Sequence, residues 1–310
     1  MNSKILTIGI IVLLIAVGAV YFMSKNSTSP AATEYCSQDG TLSNTQAIQS
    51  HRSYCIKSNI ATTHLMPNEP VSFQFSIVDD QGNTLKDFQM THDMLLHLIV
   101  IRKDLANFQH LHPELDASTG TFTLSNLTFP TSGSYRLYAD FTPKGAMMGP
   151  DGIPLGVTLI QDASVIGNYT AQALKLDPTT KTFDGYNVTL TADPKVLVAG
   201  TDMLSFTIKK DGKSVTDLQH YLAALGHSVI IREGTLDYIH AHAVQAPTDV
   251  QNGTIDFHVE FPSEGTYKVF TQFKHQDKVV TTDFVVSVTG GAPRTPPMQT
   301  EMKIMDHSMH

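Results

Sequence analysis

Apolar residues alternate with polar ones along Val71, Phe73, Phe75 and Ile77, and again along Leu204, Phe206 and Ile208. That period of two belongs to a strand with one buried face. Turn signals follow both runs, Asp80-Gln81-Gly82-Asn83 in the first and Lys210-Asp211-Gly212-Lys213 in the second, so each predicts strand, turn, strand. Two runs are denser. Leu98-Ile99-Val100-Ile101-Arg102 and Ser228-Val229-Ile230-Ile231-Arg232 are β-branched, bounded by polar residues, and predict further strands. Strands are also predicted at Val157 to Val165, at Tyr186 to Leu190 and at Val279 to Val288. Helical periodicity is scarce, and Leu218 to Leu225 is the one place where a helical turn is expected.

The chain repeats itself. His97, His110 and His112 recur at a constant offset of 130 residues as His227, His240 and His242. Phe129-Pro130-Thr131-Ser132-Gly133-Ser134-Tyr135 returns as Phe261-Pro262-Ser263-Glu264-Gly265-Thr266-Tyr267, two residues further out of step. A Gly-x-Tyr entering an alternating strand resembles the tyrosine corner of immunoglobulin-like sandwiches. The chain has no Trp, which separates it from true immunoglobulin domains but not from the sandwich. A period near 130 is too long for a solenoid unit and fits tandem domains. The expected fold is all-β: two tandem immunoglobulin-like or cupredoxin-like antiparallel β-sandwich domains after an N-terminal transmembrane helix. Boundaries follow: 1–23 anchor, 24–55 linker, 56–168 first domain, 169–184 interdomain linker, 185–289 second domain and 290–310 tail.

Ile5 to Met23 is an apolar run of 19 residues between Lys4 and Lys25, long enough to cross a hydrocarbon core. Its length favours an uncleaved anchor over a signal peptide, although Val17-Gly18-Ala19 has the small residues of a cleavage site. The expected location is the cell membrane, single-pass, with the bulk of the chain extracytoplasmic. Net charge of −8 and the lack of a basic run argue against nucleic acid. Cys36 and Cys55 in an oxidising compartment are expected to form one local disulfide.

The candidate chemistry lies in the repeated histidines. Residues i and i+2 of a strand share a face, so His110 and His112 project together, as do His240 and His242. With an even register His97 lies opposite His112 and all three rings share one face; a slip of one residue sends His97 to the other side. Three imidazoles on a rigid sheet suit Cu(II), Zn(II) or Ni(II). Met90 aligns with His220 in the second copy, an exchange tolerable at a copper ligand. Glu114 and Asp93 are candidate acceptors for the outer ring nitrogens. His92, His258 and His275 are expected to be structural. The segment from Met298 to His310 carries Met298, Met302, Met305, His307, Met309 and His310, soft thioethers and imidazoles that suit Cu(I) and Cu(II).

The stretch from His97 to Glu114, followed by Phe-Pro-x-x-Gly-x-Tyr and Ala139-Asp140-Phe141-Thr142-Pro143-Lys144-Gly145, resembles membrane-anchored or secreted bacterial proteins related to YtkA-like domains. That resemblance implies sandwich modules associated with copper or heavy-metal handling. The terminal Met-Asp-His-Ser-Met-His resembles the Met/His motifs of extracytoplasmic copper-resistance proteins. The expected function is therefore extracytoplasmic copper binding or trafficking, with metal ions as partners and the membrane held through the first helix. The competing reading is a structural or adaptor module with an envelope protein as partner. No Gly-x-Ser-x-Gly, His-Glu-x-x-His or phosphate-binding Gly-rich loop is present, so an enzyme is not expected; a copper-dependent oxidoreductase is the third reading.

Overall fold

The computed structural model describes residues 54–60, 64–79, 81–148, 154–193, 196–244 and 252–290. The expected anchor, Cys36 and the Met298 to His310 segment lie outside the described residues. Cys55, the other half of the expected disulfide, is buried.

The first half contains β1 (Tyr54–Ser58), β2 (Val71–Asp79), β3 (Phe88–Gln89), β4 (Leu96–Arg102), β5 (Gln109–Leu111), β6 (Glu114–Asp116), β7 (Thr121–Leu127), β8 (Gly133–Pro143) and β9 (Val157–Val165). The second contains β10 (Thr180–Phe183), β11 (Tyr186–Asp193), β12 (Gly200–Lys210), β13 (Lys213–Ser214), β14 (Gly226–Arg232), β15 (Tyr238–His242), β16 (Thr254–Phe261), β17 (Gly265–His275) and β18 (Lys278–Val288). One domain stacks the sheet β1-β2-β7-β6 on the sheet β3-β8-β4-β5, with β9 beside β8. The other stacks β10-β11-β12-β13, with β16 beside β12, on β15-β14-β17-β18. All pairings within these sheets are antiparallel, and each domain is a sandwich with its own core.

Both tyrosine corners form. The Tyr135 hydroxyl donates to the Thr131 carbonyl at 2.9 Å, and the Tyr267 hydroxyl to the Ser263 carbonyl at 2.8 Å. Gly133 and Gly265 have φ of 128° and 149°, a region that glycine alone adopts without strain. Two expectations are corrected. Residues 218–225 make no helix: Tyr221 bridges Ala224 around Leu222 and Ala223 at positive φ, a tight turn that closes on the neighbouring strand. The segment expected as linker carries β10, which pairs with β11, and Asp177 is tied to Lys181 and to the Val285 amide.

The dense apolar runs have a simple cause. Every residue of β4 is buried, and so are the first six of β14. Leu98 and Val100 point into the first core, Ile230 into the second. Ile99 and Ile101 point the other way and meet Val229, Ile231, Leu236, Tyr238 and Phe270 of the second domain. Phe108 stacks on Phe270 with centroids 4.3 Å apart, and Tyr138 on Tyr238 at 4.7 Å. The Tyr138 hydroxyl donates to the Leu236 carbonyl at 2.7 Å. The sandwiches therefore dock sheet against sheet, giving a third apolar core between them.

Candidate metal centre between the domains

Alternation along a strand decides where the histidines go. His97 lies on the face of Ile99 and Ile101, and His227 on the face of Val229 and Ile231. On the neighbouring strands, His110 and His112 follow Phe108, and His240 and His242 follow Tyr238. Leu98 pairs with Leu111 and Ile99 with His110, while His227 pairs directly with His242. The register is even in both copies, so each triad shares one face, and that face is the domain interface.

Within each triad one nitrogen per ring lies within 4.8 Å of the others. In the first, His97 Nδ1 lies 3.0 Å from His110 Nε2 and 3.2 Å from His112 Nε2. Such spacings suit three nitrogens each about 2.0–2.1 Å from one ion. The outer nitrogens fix the tautomers. His97 Nε2 donates to the Thr91 carbonyl at 3.2 Å. His110 Nδ1 donates to Gln272 Oε1 at 2.8 Å, because the Gln272 amide nitrogen is engaged with Thr281. His97 Nδ1 and His110 Nε2 are thus left as lone pairs facing each other, a repulsive contact that a cation would convert into ligation.

The second triad repeats the scheme. His227 Nε2 donates to the carbonyls of Tyr221 and Leu222, at 3.0 and 2.9 Å. His240 Nδ1 donates to Asp140 Oδ2 at 2.9 Å. The inward nitrogens, His227 Nδ1, His240 Nε2 and His242 Nε2, are buried with no hydrogen-bond partner, where an unused acceptor is costly.

Burial holds these rings neutral, the state that can ligate. It pushes His97 and His227 down to about 4 and His110 to about 2. His240 and His242 are also lowered, first through burial and then through neighbouring rings; His112 is lowered by burial alone. Asp140 is raised to about 6 by burial.

The two triads are one cluster. Centroids of His97 and His240 lie 5.4 Å apart, and those of His110 and His240 5.9 Å; within a triad the spacing is 4.6–5.8 Å. His92, expected to be a separate structural residue, stacks on His242 at 3.5 Å. A cavity of about 590 Å³ reaches the cluster past His92, Met94 and Asp140, with the exposed His258 and Glu260 among its lining. His275 is structural, bonded to Tyr186 and Asp217. Met90, 66% exposed, and the exposed His220 stand apart from the converging rings. Glu114 and Asp93 are also exposed; the acceptors for the outer nitrogens are Asp140, Gln272 and backbone carbonyls. Asp140 and Gln272 carried one faint signal, their equivalent places in the repeat: Asp140 pairs with His97 on β4, Gln272 with His227 on β14.

Fold and site define a class: tandem β-sandwich proteins with histidine triads set face to face between the domains. A family model described as "Domain of unknown function (DUF8832)" matches residues 53–149 and 181–290, once per sandwich, and the chain belongs to that family. No curated protein matches the chain. Among solved structures, the PmoD soluble domain from Methylocystis sp. ATCC 49242 is 16% identical with a TM-score of 0.26, over 36% of this chain and 96% of that one. Fibronectin(III)-like modules of Clostridium thermocellum CbhA are 12% identical with a TM-score of 0.21, over 78% and 97%.

Proposed function

We propose that the protein is a membrane-anchored, extracytoplasmic copper-binding protein that holds its metal on the histidine triads by ligand exchange, without catalysing a reaction. The observation that carries this reading is the set of inward lone pairs. Five rings have a buried nitrogen turned to the cluster, either unpartnered or facing another acceptor, and four of them have the far nitrogen tied to a carbonyl, carboxylate or amide oxygen. Histidines kept only for packing would leave these acceptors unsatisfied at a cost of about 1–3 kcal/mol each.

Copper is favoured over zinc by softer groups: Met94 on the cavity wall, and the methionines and histidines from Met298 to His310. The YtkA-like resemblance points the same way. In this scheme the terminal segment captures Cu(I) and passes it inward along the cavity. The test is titration of the full-length chain in detergent with Cu(I) against a competing chelator and with Cu(II), beside a chain ending at Gly290. Tight binding that survives truncation is expected, with weaker Cu(I) uptake. His110→Ala with His112→Ala is expected to lower Cu(II) binding by the first triad. No binding in either chain would leave the adaptor reading.

A further inference from the structure

The orienting groups cross between the domains. His110 of the first domain is held by Gln272 of the second, at 2.8 Å, and His240 of the second is held by Asp140 of the first, at 2.9 Å. Each triad takes its three rings from its own sandwich and one orienting acceptor from the other. The exchange is symmetric in position and unequal in chemistry, since one acceptor is a carboxylate and the other a neutral amide.

We propose that the two triads form a single two-metal centre across the domain interface, and that the ion on His227, His240 and His242 binds first because Asp140 orients His240. The proposal rests on reading the triads as metal ligands. A carboxylate on the outer nitrogen makes the imidazole a stronger donor, and its charge offsets the cation brought into a buried site. The second ion meets the charge of the first at short range in a medium of low dielectric, and on its triad no carboxylate holds a ring: His110 has the Gln272 amide and His97 the Thr91 carbonyl, with the Asp140 charge reaching His97 only through space. Rings of opposite triads lie 5.4–6.3 Å apart, overlapping the spacing within one triad, so two Cu(II) ions held here share one cluster and their spins couple.

The experiment uses the full-length chain, with Cu(II) titrated by calorimetry and the loaded protein read by electron paramagnetic resonance. Two steps are expected, the second at least about 10-fold weaker, with a coupled signal or lost intensity at full loading. Asp140→Asn, isosteric with the native residue, loosens the first step about 10–100-fold, although it lies outside the domain whose site it weakens. Gln272→Glu tightens the second step. In the charge-swapped double variant the order of filling reverses: His242→Ala, which removes the tight step from the wild type, then removes the weak one. Steps unmoved by these substitutions, or two magnetically isolated Cu(II) signals, would overturn the inference while leaving metal binding intact. A wild type that binds no copper would instead sink the functional reading itself.

Discussion

Burial does two things to an imidazole: it removes the proton and makes the remaining lone pair costly to leave unused. The sequence makes the six histidines visible through spacing and repetition, but not the groups behind them. Asp140 sits in plain view between Ala139 and Phe141, yet the ring it holds is 100 residues away in the other domain. The neutral rings predict how the metal-free chain responds to acid. Below the ordinary histidine value of 6.5 the unfolded chain takes up protons at these positions, while folded His97 and His227 wait until about 4 and His110 until about 2. The unfolded state therefore binds more protons, and stability is fully present above 6.5 and falls on acidification, by up to about 1.4 kcal/mol per pH unit for each such ring. Asp140 acts in the opposite sense between 3.8 and about 6, one carboxyl against several imidazoles. The urea midpoint of the metal-free protein is expected to drop steadily from about pH 6.5 to 5. A flat profile would mean that the rings are solvated.

At the scale of elements, strand positions and the tyrosine corners were legible, because period-two alternation and Gly-x-Tyr are local signals. Hairpin parity was not. It is set by a turn in which Leu105 and Asn107 adopt positive φ, with Leu236 doing so in the second copy, and no turn motif announces such residues. The short β10 was missed because Thr180 to Phe183 has no apolar alternation; ion pairs from Lys181 to Asp177 and Asp283 hold it in place. The two corners are alike in outline and unequal in strength. The Tyr135 hydroxyl also accepts from Asn107 Nδ2 at 2.9 Å, inside the turn that sets the hairpin register. Tyr267→Phe is expected to cost about 1 kcal/mol, the loss of one hydrogen bond. Tyr135→Phe should cost about 2 kcal/mol, since a carbonyl loses its donor and the Asn107 amide keeps only Thr131 Oγ1. Thermal unfolding of the two variants checks the order; equal losses would show that Asn107 contributes nothing.

For the whole molecule, the continuous apolar runs of β4 and β14 held information that alternation rules pass over. A strand buried along its length has both faces covered, and one sandwich covers only one. The second cover is the other domain, so the runs encode docking, and docking brings the triads together. Phe270, 4% exposed and stacked on Phe108, lies in that interface beside Gln272. It belongs to the apolar cluster between the sandwiches and to neither sandwich core, so Phe270→Ala should weaken docking by about 3–5 kcal/mol while sparing both sandwich cores. The metal-free wild type is expected to unfold in one calorimetric transition and the variant in two. Copper at about 100 times its dissociation constant adds about 2.7 kcal/mol to whatever state binds it. Because ligands and their orienting groups come from both domains, that stabilisation acts on the docked state, and loading should draw the variant's two transitions back together. Two transitions that rise separately on loading would mean that each sandwich binds alone, with the interface a neighbour to the metal rather than part of its site.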